Sequence, residues 1–341
     1  MFKTQTVTRA IASAFALTAA VAVQQSAVAQ NNESLALEEI VVTAQKRTEN
    51  LSDVPIAVTA LSSDQIDAAF ANNMENLQAM VPSVSFRKGN TTRNSALTIR
   101  GIGTISFSVA AEPSVSTVVD GVVLGRSGQA FGDLYDLERI EVLRGPQGTL
   151  FGKNASAGVV NMTTKRPSDE FEGTLDVQLY QDNEYSVKAR FAGPLGDNAR
   201  GSLTVLDKQF DGYVKNVFNN QKANGYDRSG VRGMLEFDIG DDMSMLFIAE
   251  NYEAKDECCT DLELVPSGRN PNSAAAPDSN GVVNGNVDLD LGQRRIDHDL
   301  VTETYDKTTA FSVQINKTFG EFELTSITAY RAWDNTEVRE G

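Results

Sequence analysis

The chain has 341 residues, a formal net charge of −16 and 41% hydrophobic residues, with 26 Gly and 9 Pro. This length allows about two domains, and the composition excludes a disordered or fibrous chain. The surplus of acidic residues argues against a nucleic-acid partner, because neutralising phosphates requires an excess of Lys and Arg.

Residues 1–29 have the pattern of a secretory signal peptide. Lys3 and Arg9 give a positive start, an uncharged apolar run covers residues 10–23, and Ala27-Val28-Ala29 is a small-residue cleavage site. The run is shorter than the roughly 20 residues of a spanning helix, which disfavours an uncleaved anchor. We therefore expect export. No later apolar run reaches that length, so a mature membrane form would have to cross with strands.

A short β-prone segment follows the cleavage site. Ile40, Val41 and Val42 are β-branched and precede Thr43, a combination that favours a strand. Charged flanks leave the segment without an obvious core to join, and an extended segment with unpaired backbone groups suits addition to a partner's sheet. The alternative is that residues 40–42 form the first strand of the domain that follows.

Residues 48–168 predict a compact α+β domain of about 120 residues. Residues 54–61 are predicted as a strand, and Ser62 and Gln65 fit the capping box of a helix whose apolar face carries Ile66, Ala69 and Phe70. A second short helix is predicted to end before Pro82. Further strands are predicted at residues 96–99, 115–119, 122–124, 140–143 and 159–163, with Asp120-Gly121 as a hairpin turn.

Alternation of apolar and polar residues dominates residues 169–341. It is clearest in residues 171–180, 184–191, 231–239 and 311–316, and weaker in residues 201–209, 243–252 and 322–333. Alternation alone fits a soluble sandwich as well as a barrel. Segments of about ten residues, with tight connections alternating with long ones, favour a transmembrane barrel. Aromatic residues near the strand ends predict an interfacial girdle made of Tyr180, Tyr185, Tyr252, Tyr330 and Trp333.

Several motifs resemble those of TonB-dependent outer-membrane receptors. The similar segments are a TonB box made of Glu39, Ile40, Val41, Val42, Thr43 and Ala44, then Ile99-Arg100-Gly101, Val119-Asp120-Gly121-Val122 and the long stretch 137–161. The resemblance implies an α+β plug domain followed by antiparallel β-strands of a partial transmembrane β-barrel. The implied domains are a signal peptide (1–29), a periplasmic extension with the TonB box (30–47), the plug (48–168) and the N-terminal portion of the barrel (169–341).

The resemblance also implies a function. It is active transport of a scarce ligand, most often a ferric siderophore, across the outer membrane of a Gram-negative bacterium. TonB, acting with ExbB and ExbD, would pair with the TonB box as a strand and pull on the plug. Arg100 and Arg144 would pair with acidic barrel residues, with solvated arginines as the alternative. The ligand is expected at the plug apex, near Arg87–Asn94 and Thr104–Glu112, although the binding residues themselves are unknown.

Other functions stay open at this point. An oligosaccharide, a vitamin or an aromatic compound could be the cargo, because specificity in such receptors lies mostly in the barrel loops. A signalling receptor is disfavoured, since only residues 30–38 separate the predicted cleavage site from the TonB box. The barrel region holds about seven or eight predicted strands against about 22 in a plugged barrel, so we expect a truncated gene product or a partial sequence, with a non-functional fragment as a rival interpretation.

Enzyme chemistry finds little support in the residues. Gly148 to Lys153 resembles a P-loop but has one spacer residue too few and lacks the Ser or Thr that binds magnesium. The single His298 leaves no base for a catalytic triad. Adjacent Cys258 and Cys259 favour a local disulfide or free thiols over a metal site. We expect no enzymatic activity, no cofactor and no bound metal.

Overall fold

The computed structural model describes residues 41–43, 45–47, 49–87, 89, 95–104, 111–216, 219–257, 295–296 and 303–338, all within one compact unit, Ile40–Gly341. The predicted signal peptide, the Cys258–Cys259 pair and the TonB-box residues Glu39, Ile40 and Ala44 lie outside these residues. Among the described helices, none is both long and apolar enough to cross a membrane.

The first part of the described chain is an α+β domain, which we call the plug. Its elements are β1 (Val41–Val42), β2 (Glu49–Asn50), β3 (Val58–Ser62), α1 (Ser63–Ala68), α2 (Met74–Met80), β4 (Val84–Arg87), β5 (Ala96–Ile99), β6 (Ile102–Gly103), β7 (Val115–Val119), β8 (Val122–Val123), a 3₁₀ helix (Ser127–Phe131), β9 (Leu137–Arg144), α3 (Gly148–Phe151) and β10 (Gly158–Thr164). A mixed sheet has the strand order β3-β9-β10-β7-β8, in which β7 and β10 run parallel. Two smaller sheets are β1-β2 and β4-β5-β6.

The start of α1 is as predicted, but its end is not. Ser62 and Gln65 form the capping box, each side chain accepting a hydrogen bond from the other residue's backbone N–H. The helix stops at Ala68, and Phe70 has φ 50° and is 64% exposed. The N–H of Ala71 bonds to the carbonyl of Ile66 across this left-handed residue, which is a Schellman ending. Placing Phe70 on the buried helix face was therefore wrong.

Both faces of the plug sheet are covered. Ile140 and Val142 of β9 point to the face on which α1 and α2 pack, and both are fully buried. On the opposite face Leu143 and Val159 pack with Phe151 and with Val42 of β1. The predicted strand over residues 54–61 begins only at Val58, where pairing with β9 starts.

The second part of the described chain is dominated by long antiparallel strands. Its elements are β11 (Glu172–Leu179), β12 (Tyr185–Gly196), β13 (Ala199–Phe210), β14 (Val214–Asn216), β15 (Lys222–Ala223), β16 (Tyr226–Asp238), β17 (Met243–Asp256), β18 (Arg295–Ile296), β19 (Glu303–Phe319) and β20 (Phe322–Val338). We call the seven-stranded sheet β11-β12-β13-β16-β17-β19-β20 the wall. A small sheet, β15-β14-β18, joins two connections between wall strands. The predicted fold class is confirmed.

The wall has two chemically different faces. Leu175, Leu203 and Phe311 are exposed on one face, whereas Arg190, Lys208 and other polar residues of the opposite face are buried against the plug. Its short turns lie at one end, at residues 197–198, 239–242 and 320–321. The turn between β11 and β12, at residues 180–184, lies at the opposite end.

The aromatic girdle prediction fails for two of its members. Tyr252 is 8% exposed and bonds to an aspartate of the plug, so it points away from the apolar face. Trp333 lies on the polar face, where its indole N–H donates to Asp306. Tyr180 and Tyr330 are exposed on the wall. The period-two pattern identifies strands, but assigning a face requires knowing which of the alternating positions meets the plug.

Candidate functional site

The plug meets the wall through an acidic loop, Gly132–Asp136, which directly precedes β9. Asp133 lies at its centre with a side chain that is 1% exposed. One carboxylate oxygen, Oδ1, lies 2.7 Å from Nζ of Lys208 and 3.2 Å from Nη1 of Arg228. The other, Oδ2, accepts a 2.8 Å hydrogen bond from the hydroxyl of Tyr252. One plug carboxylate thus joins three strands of the wall.

The wall cations keep this buried carboxylate charged. Burial alone raises the pKa of Asp133, but Arg228 and Lys208 outweigh burial and hold the pKa below its usual range. Arg228 is also held by Asp256, with Nε and Nη2 at 2.7 and 2.6 Å from its two carboxylate oxygens. This forked pairing fixes the guanidinium in the plane that faces the plug.

Tyr135 forms a second contact in the same loop. Its hydroxyl donates a 3.1 Å hydrogen bond to Glu250, and its carbonyl accepts a 3.2 Å bond from Arg232. Arg232 pairs with Glu250 at 3.1 Å and also lies over the Tyr135 ring, 4.4 Å from the centroid. Tyr135 therefore contacts the Arg232–Glu250 ion pair of the wall through its backbone carbonyl, its hydroxyl and the face of its ring.

Asp136 completes the loop. It lies 2.9 Å from Nε of Arg190 and accepts a 2.6 Å hydrogen bond from the hydroxyl of Thr204. Burial raises the pKa of Asp136, opposed first by the Thr204 hydrogen bond and then by nearby guanidinium groups. Asp133 and Asp136 were not identified from the sequence. The available signal was a run of basic residues at alternate wall positions, which required acidic partners on the plug.

Further contacts lie outside the acidic loop. Asn72, between α1 and α2, accepts a 2.5 Å hydrogen bond from Nζ of Lys188 of the wall. Arg166, just after β10, pairs with Glu236 of the wall at 3.1 Å. The hairpin turn at Gly121 touches Ile327 of β20, since a Cβ built on the glycine would lie 2.4 Å from Ile327 Cδ1. The plug is therefore held at its hairpin tip, its acidic loop, the connection between α1 and α2, and the chain that leads into the wall.

The arginines predicted to join plug and barrel have other partners here. Arg144 donates from Nε and Nη2 to the carbonyls of Ala57 and Val58, at 3.4 and 3.2 Å, within the plug. Arg100 is exposed, with φ 54°, and its backbone N–H bonds to Ser83. Within the described residues neither guanidinium contacts the wall. Their pairing with acidic barrel residues stays a prediction.

The described residues of the predicted TonB box, Val41 to Thr43, are docked on the plug. Val41 and Val42 pair antiparallel with Asn50 and Glu49, and Val42 is fully buried in the cluster that contains Phe151 and Val159. The expectation that this segment has no core to join was therefore wrong. Val42 is buried because it packs against apolar side chains on one face of the plug sheet, Leu143 of β9 and Val159 of β10.

Thr43 ends the docked segment in a polar cluster. Its backbone N–H donates to Glu141 Oε1 at 2.7 Å, and its hydroxyl to the same oxygen at 3.1 Å. Arg139 Nε lies 2.9 Å from that oxygen, and Asn161 Nδ2 donates to Oε2 at 3.2 Å. Glu141 is fully buried. Val41, in contrast, is 42% exposed.

The predicted ligand-binding regions are only partly described. In the segment 104–112 the described Glu112 pairs with Lys153, and in 87–94 only Arg87 and Gly89 are described. A cavity of about 80 Å³ lies between the 3₁₀ helix, the acidic loop and the wall, next to Tyr252, Asp306 and Trp333. The described residues contain no cluster of His, Cys, Asp and Glu suited to a metal ion.

Comparison with known proteins identifies the plug. The profile of the TonB-dependent receptor plug domain matches residues 50–159. The pesticin receptor of Yersinia pestis is 27% identical over 212 residues, which cover 62% of this chain and 30% of that protein. The vitamin B12 transporter of Vibrio vulnificus is 24% identical over 217 residues, covering 62% of this chain and 34% of that protein. The chain thus spans about a third of the length of these curated relatives.

A solved structure agrees in fold. The ferric yersiniabactin uptake receptor of Yersinia pestis matches with a TM-score of 0.68 at 21% identity, over 83% of this chain and 41% of that receptor. The alignment covers plug and wall together, since neither part alone reaches that share of the chain. The chain therefore carries the plug domain of the TonB-dependent receptors, followed by strands with the fold of part of such a receptor's barrel.

Proposed function

We propose that this protein takes part in TonB-dependent active transport of a scarce ligand across the outer membrane. The observation that carries the proposal is the seating of the plug. Its acidic loop lies against the polar face of a wall whose opposite face exposes apolar side chains. A globule on the polar side of a lipid-facing sheet suits a gated importer, because it fills the space through which cargo would pass.

Energy would enter through the TonB box, Glu39–Ala44. Strand addition by TonB, driven by ExbB and ExbD, requires an extended segment at the periplasmic side. Val41 and Val42 are extended and lie at the N-terminal edge of the plug, where a pulling force would act first. Force applied there reaches the Thr43–Glu141 contact and then β3, an edge strand of the plug sheet.

The setting is the outer membrane of a Gram-negative bacterium, reached after cleavage of the signal peptide at residue 29. The exposed Leu175, Leu203, Leu235 and Phe311 would face lipid. Such an apolar band is what burial in a bilayer stabilises, whereas in water it would be a large exposed patch.

A ferric siderophore is the proposed cargo. Support comes from the names of two similar proteins, the ferripyoverdine receptor of Pseudomonas aeruginosa and the ferric yersiniabactin uptake receptor of Yersinia pestis. A vitamin is the second candidate, because a similar protein is named a vitamin B12 transporter. An oligosaccharide, an aromatic compound and an inert fragment are the remaining rivals.

The test is deletion of Ile40–Thr43 in the native gene. We expect loss of growth on a panel of ferric siderophores under iron limitation, with unchanged amounts of protein in the outer membrane. Deletion of Asn31–Ser34 is the matched control, since it shortens the same segment ahead of the box. Undiminished uptake after the box deletion would contradict the mechanism. Loss of growth on a corrinoid instead of an iron chelate would assign the vitamin.

A further inference from the structure

Glu141 is an unusual residue for its position in the plug. It lies between Ile140 and Val142, in the middle of β9, and its side chain points to the same apolar face that holds Val42. A valine or leucine would continue that face. Instead the site holds a carboxylate with no exposed surface, which costs free energy unless every oxygen is hydrogen-bonded.

The Glu141 carboxylate accepts a hydrogen bond from the backbone N–H of Thr43, the first residue after β1. Val41 and Val42 use β2 as their sheet partner, with registers Val41–Asn50 and Val42–Glu49. The next N–H, that of Thr43, goes to Glu141 Oε1 at 2.7 Å. A partner strand that paired along the box through Thr43 would offer a carbonyl oxygen to such a donor. An ionised carboxylate is the stronger acceptor of the two.

We propose that Glu141 acts as a gate on the N-terminal segment, occupying the Thr43 donor until a partner strand replaces it. The identity of that partner as TonB rests on the proposed function. The gate itself is a property of the plug, because it involves only Thr43, Glu141 and the neighbours of Glu141.

The neighbours of Glu141 make the release reversible. When Thr43 leaves, Oε1 retains the ion pair with Arg139 Nε at 2.9 Å, and Oε2 retains the hydrogen bond from Asn161 Nδ2 at 3.2 Å. The buried charge is therefore not orphaned by the departure of the segment. Undocking gives up the bonds from Thr43 to Glu141, the bonds that the Thr43 hydroxyl accepts from Arg139 and Asn161, and the burial of Val42. The sheet that holds Glu141 stays intact.

The experiment measures backbone hydrogen exchange of the peptide covering residues 41–47 in the purified full chain in nanodiscs. The Glu141→Ala variant is expected to exchange there at least about tenfold faster, since a hydrogen bond to a charged group is lost. Peptides from β7 and β10 are expected to keep their protection. Thr43→Val removes the hydroxyl bond but keeps the backbone donor, so a smaller acceleration is expected. Glu75→Gln is the matched control and should change nothing, since Glu75 is exposed on α2, which packs on the face of the plug sheet opposite Glu141.

A second readout is the dissociation constant of the purified periplasmic domain of TonB. If docking by Glu141 competes with this domain, the constant for Glu141→Ala falls by the same factor by which exposure of the segment rises. Unchanged exchange of residues 41–47 in Glu141→Ala, with the sheet still protected, overturns the gate. Accelerated exchange with equal affinity for wild type and variant overturns it as well. Accelerated exchange with no binding to either protein supports the gate and refutes TonB as the partner.

Discussion

Oδ1 of Asp133 lies 2.7 Å from Nζ of Lys208, although the two residues belong to different parts of the fold and are 75 positions apart in the chain. Neither side chain has more than 8% of its surface exposed. Arg228 approaches the same oxygen at 3.2 Å, so a single plug carboxylate faces two cations of the wall. Removal of that carboxylate leaves more buried charge unpaired than removal of either cation.

Asp133→Ala is therefore expected to loosen the plug strongly. Breaking a buried ion pair from one side costs about 3–5 kcal/mol, because the remaining charge stays buried. The measurement is the thermal unfolding midpoint in nanodiscs together with the rate of protease cleavage in the plug. Asp197→Asn, in an exposed turn of the wall, is the control. Equal midpoints for the two variants would show that the acidic loop does not anchor the plug.

The lowered pKa of Asp133 predicts how the stability of the folded protein falls at acidic pH. The pKa of Asp133 is held below its usual range, so below the unfolded value of about 3.9 the folded state binds fewer protons than the unfolded state. Its contribution is complete above that value and is lost as pH falls through the folded pKa. Asp133→Asn should remove this component and flatten the unfolding midpoint between pH 5 and pH 2, with both limits chosen to bracket about 3.9. An unchanged slope would contradict the assignment.

Gly121 gives a test of the contact between the hairpin tip and β20. It has φ 80°, and an added Cβ would lie 2.4 Å from Cδ1 of Ile327. Gly121→Ala should cost about 1–2 kcal/mol for the left-handed backbone, plus the steric conflict. Gly145→Ala is the matched control, since Gly145 has φ 90° and nothing within 4 Å of the added Cβ.

The double variant Gly121→Ala, Ile327→Ala should recover the steric part and leave the backbone part. The measurement is a double-mutant cycle on the free energy of unfolding. Equal losses for Gly121→Ala and Gly145→Ala, with no coupling to Ile327, would show that the tip does not press on the wall.

The two faces of the wall can be distinguished by fluorescence. In a Trp333→Phe background, tryptophan at Phe311 should be quenched strongly by brominated acyl chains, because Phe311 is 55% exposed on the apolar face. Tryptophan at Ser312, the next residue of β19 and on the opposite face, should be quenched weakly. Comparable quenching at both positions would contradict a lipid-facing wall.

The elements that the sequence identified correctly are those with local causes. Ser62 and Gln65 predicted a capping box because both of its hydrogen bonds join residues three apart. Asp120-Gly121 predicted a hairpin, and both residues have the positive φ that such a turn requires. The prediction for Phe70 was wrong because the apolar spacing continues beyond the end of the helix at Ala68 to Phe70, where the backbone turns left-handed.

The functional contacts were much harder to predict. Alternation along β13 and β16 indicates that Lys208 and Arg228 lie on the same face as other polar residues, but it does not show that Asp133 lies opposite them. Glu141 lies within the motif 137–161, but the sequence predicts no role for it because its partner Thr43 is 98 positions away. Val42 was treated as unattached for the same reason. The contacts of Asp133, Glu141 and Val42 all depend on packing between segments that are distant in the chain, and a local sequence pattern carries no information on such packing.

The contacts that join plug and wall are mainly charged or hydrogen-bonded, and their apolar component in the described residues is small: it includes the cluster of Tyr135, Leu206, Tyr252 and Ala254 and the contact of Gly121 with Ile327. Water can replace such contacts bond by bond, whereas it cannot solvate a separated apolar interface. A plug held in this way can be wetted along its flank while its own core stays dry. The energy barrier to movement of the plug along the wall would then depend on how readily water replaces these polar contacts, and not on unfolding of the plug core.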